Sequence, residues 1–548
     1  MSLEQPAGKK GRKRKPPSKP PRIIETAPPP AHHPDRPPIP LLVAVVVTAV
    51  LEVLDITIVN VALPHMLGAS GATSDQITWV LTSYIVSAAV VMPLTGYLST
   101  WLGRKRLLLT AITGFVISSA LCGMAWNLET MVLFRVAQGI FGAPLVPLSQ
   151  AILLDVFPRQ RHGQALAIFG LGIMVAPVFG PVLGGWLTET YSWRTVFYIN
   201  VPLGLFALLL SIGYLPHRAI KDIKTDWVGM GLLVLAVGAL QFVLDQGQMR
   251  DWFNSKAIVM GTIIAVFGSA AFFIRGWNRP DNIIDLSLLK DRNFVMGTLA
   301  ITAYGISLFG WMALMPLFSQ KLLGYPPSTA GTLFIPRALV SAYTLAITGS
   351  ILIRIFDARY LVAAGLVLTA LGTMLMARFS MMVDYWGIAT PGIWAGIGTG
   401  LFFVPLTAAA FASIPKAQYD EASGVYALMR GIGGSAGIAV VSWLFVRQTQ
   451  IHWAELTSHI TPFNRDLATY LAQHGLTPYS PTAAPLVTLQ IAEQAQMLAF
   501  NDLFWFIGLV TLAVAVVEEH GIGPETRSRS PMQDLSNHQQ ALAPDVHT

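Results

Sequence analysis

The chain has 548 residues, of which 53% are hydrophobic and only 12% are charged. Soluble domains carry about 25% charged residues, so this composition excludes a soluble globule, a disordered chain and a disulfide scaffold. The formal net charge is +7, but six of these positive charges lie in residues 1–40, so the remaining chain is nearly neutral and predicts no nucleic-acid partner.

The chain begins with a segment that is unlike everything after it. Residues 1–40 hold nine Lys or Arg and twelve Pro, with almost no large apolar side chains. Such a segment cannot bury enough apolar surface to fold, so we expect a disordered, basic cytoplasmic tail. It lacks the apolar stretch of a signal peptide, and the first membrane helix is expected to act as an uncleaved insertion signal.

Apolar runs between breakers and charges then predict fourteen membrane helices. They fall near residues 41–65, 77–98, 107–126, 130–154, 164–187, 194–215, 227–244, 256–275, 294–319, 328–352, 360–379, 387–413, 423–446 and 499–517. The fold class is therefore an all-α polytopic membrane protein. The predicted domains are a six-helix bundle at 41–215, two linker helices with cytoplasmic loops within 216–293, a second six-helix bundle at 294–517 and a cytoplasmic tail at 518–548.

The distribution of Lys and Arg predicts the orientation. If the N-terminus is cytoplasmic, the outward loops hold only seven of the 36 basic residues, namely Arg194, Arg250, Lys256, Lys321, Arg378, Arg447 and Arg465. Cytoplasmic loops carry the excess of positive charge in membrane proteins. Both termini are therefore expected in the cytoplasm.

One predicted outward connection is much longer than the others. Residues 447–498 form a polar segment of about fifty residues, and loops longer than about 15 residues are usually functional or disordered. Ala484–Met497 nevertheless has helical spacing. Two interpretations remain open, namely a solvated cap and a docking surface for a partner.

Two carboxylates lie in the first predicted helix, where charges are costly and often functional. Glu52 and Asp55 are three residues apart and share one helix face, and burial and mutual repulsion favour protonation of at least one near neutral pH. We therefore expect a role in proton coupling, without choosing between them; the alternative is a structural carboxyl. Arg135 in the fourth helix is the expected intramembrane counter-charge, with a structural tie as its alternative.

Four further charges lie in or near predicted helices. Arg337 and Arg430 are interpreted as side chains that snorkel towards an interface. Asp155 and Asp245 lie at the ends of spans and are interpreted as interfacial.

Several kinds of site are missing from the sequence. There is no phosphate-binding loop and no H-E-x-x-H motif, and Cys122 is the only cysteine. We therefore expect no metal, no cofactor and no enzymatic activity. An ion gradient, a separate subunit or the substrate's own gradient must supply the energy.

Four segments in the first half carry a family resemblance. The run Leu54–Pro64 (LDITIVNVALP) resembles a first-helix signature, and Gly96–Arg106 (GYLSTWLGRKR) resembles a loop motif between the second and third helices. Leu133–Gly139 (LFRVAQG) and Gly180–Gly185 (GPVLGG) resemble motifs of the fourth and fifth helices. In this order and spacing they resemble the major facilitator superfamily, in its branch of fourteen-helix drug:proton antiporters.

The resemblance assigns roles to particular residues. The expected gating-loop residues are Gly96, Gly103, Arg104, Lys105 and Arg106, and the antiporter-motif residues are Pro177, Gly180, Pro181, Gly184 and Gly185. Thr100 stands where many relatives have Asp, so the role of that Asp cannot be transferred to this chain. Arg135 matches the family's arginine that is implicated in proton coupling.

The resemblance also implies the architecture and the function. It implies the major facilitator fold, with two six-helix bundles plus two extra helices and rocker-switch alternating access. Residues 447–452 and 494–502 resemble the EmrB-type subgroup, whose members work in the bacterial inner membrane with a periplasmic adaptor and an outer-membrane channel.

The expected activity is proton-coupled export of hydrophobic or amphipathic compounds, with the substrate site unassigned. The alternative is a dedicated exporter of one metabolite, such as a siderophore or an acidic natural product. A membrane enzyme that acts on lipids and a sensor with a transporter fold are further alternatives.

Overall fold

The computed structural model describes residues 38–70, 72–215, 225–277, 279, 282–461, 463–477 and 479–521. The sequence predictions for the two tails concern residues that lie, apart from a few at their edges, outside these ranges.

Fourteen long helical segments follow one another in the described chain, and we number them α1 to α14. They are α1 (Ile39–Ser70), α2 (Trp79–Leu102), α3 (Arg104–Met124), α4 (Leu128–Val156), α5 (His162–Thr190), α6 (Thr195–Tyr214), α7 (Trp227–Gln246), α8 (Lys256–Gly276), α9 (Arg292–Leu322), α10 (Thr329–Ile355), α11 (Ala358–Met376), α12 (Tyr385–Phe411), α13 (Tyr419–Ser458) and α14 (Ala483–Gly521). Thirteen of them are long and apolar enough to cross a membrane, and α5 is a further apolar helix of 29 residues. The predicted all-α polytopic fold is confirmed.

Proline and local unwinding interrupt several of these helices. A 3₁₀ turn at Met92–Leu94, which contains Pro93, divides α2, because proline has no N–H to continue the α-helical hydrogen bonds. A π-helical turn follows Pro316 near the end of α9, and another occupies Thr348–Leu352 in α10. Such irregular turns frequently mark functional segments.

The helices form two bundles with a hairpin between them in sequence. Helix α1 packs on α5 and α6 in the first bundle, whereas α9 packs on α13 and α11 packs on α12 and α14 in the second. Helices α7 and α8 pack mainly on each other, and α7 also contacts α2 and α13. We call the end of the bundles at which α1 begins the basic end, and the opposite end the long-loop end.

At the long-loop end, the structure contains helices where the sequence predicted a loop at 447–498. Helix α13 continues to Ser458, and α14 already begins at Ala483. Only residues 459–482 connect them, and these contain a short helix at Arg465–Gln473. The prediction was wrong because hydropathy marks where an apolar run ends, whereas a polar helix continues beyond it. The helical spacing noted within Ala484–Met497 is confirmed.

Candidate functional site

Asp55 of α1 lies at the centre of a buried polar cluster in the first bundle. Its Oδ2 accepts a hydrogen bond from Nη1 of Arg135 at 2.6 Å. Its Oδ1 accepts from Nε2 of Gln138 and Nδ2 of Asn200, each at 2.8 Å. All four side chains are fully buried. Buried charges are tolerated when they are paired and hydrogen-bonded, so this cluster accommodates an ionised Asp55 and joins α1 to α4 and α6.

Arg135 is held in place by groups other than Asp55. Its Nε donates to the backbone carbonyl of Val80 at 3.0 Å, and its guanidinium lies 4.2 Å from the ring centroid of Tyr84. Arg135 was expected as the counter-charge of both carboxylates in α1. The structure pairs it with Asp55, whereas Glu52 has different surroundings.

Glu52 lies one helical turn before Asp55 and is only 4% exposed. Its one side-chain hydrogen bond within the described residues comes from the backbone N–H of Val146 at 3.1 Å. No basic side chain of the described chain lies within 4.0 Å of it, but Arg430 of α13 attracts it electrostatically. Glu52 is therefore a buried carboxyl with much weaker compensation than Asp55.

Glu52 lines a small, open cleft between the two bundles. Tyr84 and Met92 of α2 line the same side, whereas Leu428 and Gly431 of α13 lie opposite. Almost all of the lining is apolar, and a few polar groups converge on it, which is typical of small-molecule sites. The cleft brings Glu52 next to α13, whose Arg430 the sequence interpretation had placed at an interface.

Helix α7 closes one side of this cleft. Gln241 of α7 lines the cleft and donates to Oγ of Ser435 in α13 at 2.5 Å. Thr82 of α2 donates to Asp245 and accepts from Gln246 at 2.9 Å. Helix α7 is thus hydrogen-bonded to both bundles. Asp245 lies at the end of its span, as predicted, and is held by these partners.

Arg104, in the first turn of α3, is the centre of a second charge cluster, at the basic end. Its Nη1 lies 2.8 Å from Oδ2 of Asp155 at the end of α4. Its Nη2 lies 2.5 Å from Oδ1 of Asp420 in the first turn of α13, and Nε donates to Oδ2 of Asp420 at 3.1 Å. Ser99 donates to the same carboxylate. Arg104 and Asp420 belong to different bundles, so this cluster joins the bundles at the basic end.

Sequence reasoning missed Asp420. Thr100, which the family resemblance places at the position of the motif's Asp, donates to the carbonyl of Gly96 in its own helix at 3.0 Å. A carboxylate from the other bundle reaches the loop instead. Asp420 looks in sequence like an ordinary acidic residue at a helix start, so no local signal reveals the partner that lies more than 300 positions earlier.

The other expected gating-loop residues have separate environments. A Cβ on Gly96 would lie 2.5 Å from Cα of Glu421, so only glycine allows α13 to approach α2 there. Gly103 has a φ of 84°, which favours glycine, between α2 and α3. Lys105 donates to the carbonyl of Ile212 at 2.8 Å, and Arg106 is exposed. Of the three basic residues, only Arg104 belongs to the charge cluster.

The expected antiporter-motif residues lie on α5. A Cβ on Gly180 would lie 2.2 Å from Oγ1 of Thr57, and one on Gly184 would lie 2.9 Å from the carbonyl oxygen of Ile58. These glycines allow α5 to pack closely on α1. Gly185 has open space, since the nearest atom to its added Cβ is 4.0 Å away. Pro177 and Pro181 are part of the same continuous helix.

Arg337 of α10 contradicts its interpretation as a snorkelling side chain. It is only 7% exposed, and its guanidinium carbon lies 3.8 Å from the ring centroid of Trp311 in α9. Its Nη1 has no hydrogen-bond partner. No carboxylate of the described chain forms an ion pair with it, so the second bundle contains a buried cation without an acidic partner.

Comparison with known proteins identifies the family. Residues 45–438 match the Major Facilitator Superfamily profile. The chain is 35% identical over 459 residues to Fatty acid resistance protein FarB of Neisseria gonorrhoeae, covering 83% of this chain and 90% of that protein. It is 35% identical to Multidrug export protein EmrB of Haemophilus influenzae, covering 87% and 94%. It is 34% identical to Multidrug export protein EmrB of Escherichia coli K12, covering 85% and 91%.

Solved structures agree on the fold. The human organic anion transporter MFSD10 (TETRAN) gives a TM-score of 0.56 at 16% identity and covers 87% of this chain and 99% of its own. The proton:xylose symporter XylE gives a TM-score of 0.55 at 14% identity, with 87% and 94% covered. The chain belongs to the Major Facilitator Superfamily and is a multi-pass membrane transporter related to multidrug export proteins.

Proposed function

We propose that the protein exports hydrophobic or amphipathic compounds in exchange for protons, and that Glu52 carries the proton. The relatives named for multidrug export and fatty acid resistance support this substrate class. The single observation that favours Glu52 is its position, since it is the carboxyl that lines the cleft between the bundles.

The different surroundings of the two carboxyls assign them different roles in this proposal. Protonating Asp55 would leave Arg135 as a buried cation without its counter-charge, which is strongly unfavourable. Protonating Glu52 removes only its electrostatic attraction to Arg430 and weakens the hydrogen bond that it accepts from the backbone N–H of Val146. Asp55 and Arg135 therefore form a fixed pair that supports α1, and Glu52 is the group that gains and loses a proton.

Coupling follows if the two bundles alternate between two arrangements. In this proposal an ionised Glu52 attracts Arg430 of the other bundle, and protonation of Glu52 removes that attraction. The ion pair between Arg104 and Asp420 joins the bundles at the basic end, so in this proposal it breaks when the cleft opens towards that end. A proton and a substrate are coupled when each has a different affinity for the two arrangements.

The test is transport in proteoliposomes driven by a pH gradient. Glu52→Gln should abolish gradient-driven export of a lipophilic compound, while export down the compound's own gradient persists. Glu129→Gln is the matched control, because Glu129 is an exposed carboxyl in the first turn of α4. Undiminished gradient-driven export by Glu52→Gln would disprove the assignment.

The alternative function is export of one dedicated metabolite, such as a siderophore or an acidic natural product. A panel of lipophilic compounds tested in the same vesicles distinguishes the two functions. Transport of several unrelated compounds supports broad export, whereas transport restricted to one acidic metabolite supports the alternative.

We also propose an inner-membrane location with the basic end in the cytoplasm. The excess of Lys and Arg in the connections at that end supports this orientation. A cysteine at Tyr479, which is 78% exposed, should react with a membrane-impermeant maleimide on spheroplasts. The background should be Cys122→Ala, and absence of labelling in intact spheroplasts with labelling after lysis would reverse the orientation.

The helical extension at the long-loop end is the proposed contact for a periplasmic adaptor and, through it, an outer-membrane channel. Helices α13 and α14 continue past their apolar stretches there, and Phe463 and Tyr479 are largely exposed. Replacing residues 459–482 by a short Gly-Ser turn should leave transport in proteoliposomes intact and abolish export from whole cells. Loss of both activities would instead assign the segment to the transport core.

A further inference from the structure

The second bundle contains a buried arginine that neither the fold nor the proton path explains. Arg337 is on α10, and its guanidinium stacks on the Trp311 ring at 3.8 Å. An aromatic face stabilises a cation only partly, and it offers no acceptor to the N–H groups at the guanidinium edge. Nη1 accordingly has no partner, although it is buried.

The neighbouring residues supply hydroxyl and apolar groups but no negative charge. Tyr304 of α9 interacts with Arg337 and also shares a hydrogen bond of 2.9 Å with Thr399 of α12. The Phe334 ring lies 5.2 Å from Trp311, edge to face. Helices α9, α10, α11 and α12, which surround Arg337, contain no Asp or Glu.

The backbone around Arg337 is closely packed against α12. A Cβ on Gly396 of α12 would lie 2.5 Å from the carbonyl oxygen of Arg337, and the nearest atom to one on Gly392 would be Cβ of Arg337 at 3.7 Å. Ser341 of α10 donates to the carbonyl of Gly396 at 2.9 Å. Helices α10 and α12 are thus in backbone contact and fix the position of Arg337.

Helix α10 also contacts α5 of the first bundle. A change in the relative position of the bundles therefore acts directly on the helix that carries Arg337. A buried guanidinium whose neighbours are a phenol and an indole ring but no carboxylate favours any arrangement in which an anion reaches it, because a buried charge is tolerated when it is paired.

We propose that Arg337 binds the anionic head group of an amphipathic substrate, whose apolar part lies against Trp311 and Phe334. This inference rests on the proposed export function and narrows its substrate class to amphiphiles with a carboxylate or a similar oxyanion. A guanidinium suits such a group because it can donate two parallel hydrogen bonds to its oxygens. A membrane lipid with an anionic head group presents the same chemistry, so the experiment must separate the two sources.

The first experiment measures binding to the full chain in nanodiscs of phosphatidylcholine. Dodecanoate and dodecyltrimethylammonium have matched tails and opposite charges, and calorimetry gives their dissociation constants without any proton gradient. The wild-type protein should bind dodecanoate at least tenfold more tightly than the cation. Arg337→Gln should abolish that preference, and Arg337→Lys should retain part of it.

The control is Arg106→Gln, which removes an exposed cation at the basic end and should leave the preference intact. An unchanged preference for dodecanoate in Arg337→Gln would overturn the proposal. An equal loss of binding affinity for both amphiphiles would also overturn it. Adding phosphatidylglycerol to the nanodiscs tests whether an anionic lipid occupies the same site. Loss of dodecanoate binding in its presence would assign the site to lipid and overturn the substrate role.

A second measurement remains informative if Arg337→Gln folds poorly. Replacing a buried ion by an apolar residue of similar volume is often neutral or stabilising, so Arg337→Met should unfold thermally at the same temperature as the wild type or higher. Dodecanoate should raise the unfolding temperature of the wild type but not that of Arg337→Met. A destabilised Arg337→Met that still responds to dodecanoate would show that the arginine is only structural.

These outcomes are separable from those of the proton proposal. Binding in nanodiscs does not depend on Glu52 or on a gradient, so a failure of gradient-driven flux would leave the binding result standing. Conversely, gradient-driven export of the cation with no dodecanoate binding would support the proton-coupled function and overturn the anionic substrate class.

Discussion

Removing the charge of Asp420 should open the basic end. The Arg104 and Asp420 side chains are 4% and 8% exposed, so water screens the pair poorly. A hydrogen bond to a charged group contributes about 1.5–3 kcal/mol. Asp155 still neutralises Arg104 after Asp420→Asn. The closed arrangement should therefore lose less than the 3–5 kcal/mol expected when a buried charge is left without any partner. Each 1.4 kcal/mol is a factor of ten, so the ratio of closed to open molecules should fall about 10- to 100-fold.

Distances between spin labels measure this ratio. Trp101 at the end of α2 and Phe356 after α10 are both about half exposed, at 53% and 52%, and lie at the basic end of different bundles. Cysteines at these positions, in a Cys122→Ala background, report the separation of the bundles by double electron–electron resonance. Asp420→Asn should shift the distance distribution to longer values.

Asp155→Asn is the matched control. It removes the other carboxylate of Arg104, which lies in the same bundle as Arg104. The only ion pair that Asp155 forms with the other bundle among the described residues is a long, half-exposed one to Lys416 at 4.0 Å, which water screens well. Asp155→Asn should therefore change the distance distribution little. A distribution for Asp420→Asn that matches the wild type, or an equal shift in both variants, would refute the reasoning that this ion pair closes the basic end.

Two further predictions concern the first bundle and are measured by unfolding of the purified protein. Asp55→Asn should lower the free energy of unfolding by about 3–5 kcal/mol, because it leaves Arg135 buried without its counter-charge. Adding Arg135→Met should recover part of that stability. A double variant as unstable as Asp55→Asn would contradict the pairing. Gly180→Ala should cost about 1–3 kcal/mol through overpacking against Thr57, whereas Gly185→Ala should be nearly neutral. Equal effects of the two alanines would show that α5 adjusts its position on α1.

The sequence predicted features that depend on local composition. Apolar runs located the helices, because a membrane span needs about 20 apolar residues. Asp55 and Arg135 were recognised as candidates because charges are rare in such runs, and the structure places them 2.6 Å apart. The sequence could not predict which carboxyl Arg135 contacts, because Glu52 and Asp55 lie only one helical turn apart on the same face of α1.

Features that depend on packing between distant segments were missed. Asp420 reaches Arg104 from the other bundle, and nothing near either residue encodes that contact. Arg337 was interpreted as snorkelling because a long cationic side chain in an apolar helix usually reaches an interface. Its burial depends on Trp311 and on close contact between α10 and α12, which a single helix does not reveal.

The hydrogen bonds of α7 have a consequence for shortening the protein. Deleting α7 and α8 would in principle give a transporter of twelve helices. Ser435 of α13 would then lose Gln241 as its partner, whereas Thr82 of α2 would lose Asp245 and Gln246 but keep the carbonyl of Thr78 at the start of its own helix. An unpaired polar group in hydrocarbon is unfavourable, so a shortened transporter should be more stable with an apolar residue in place of Ser435 than with the serine.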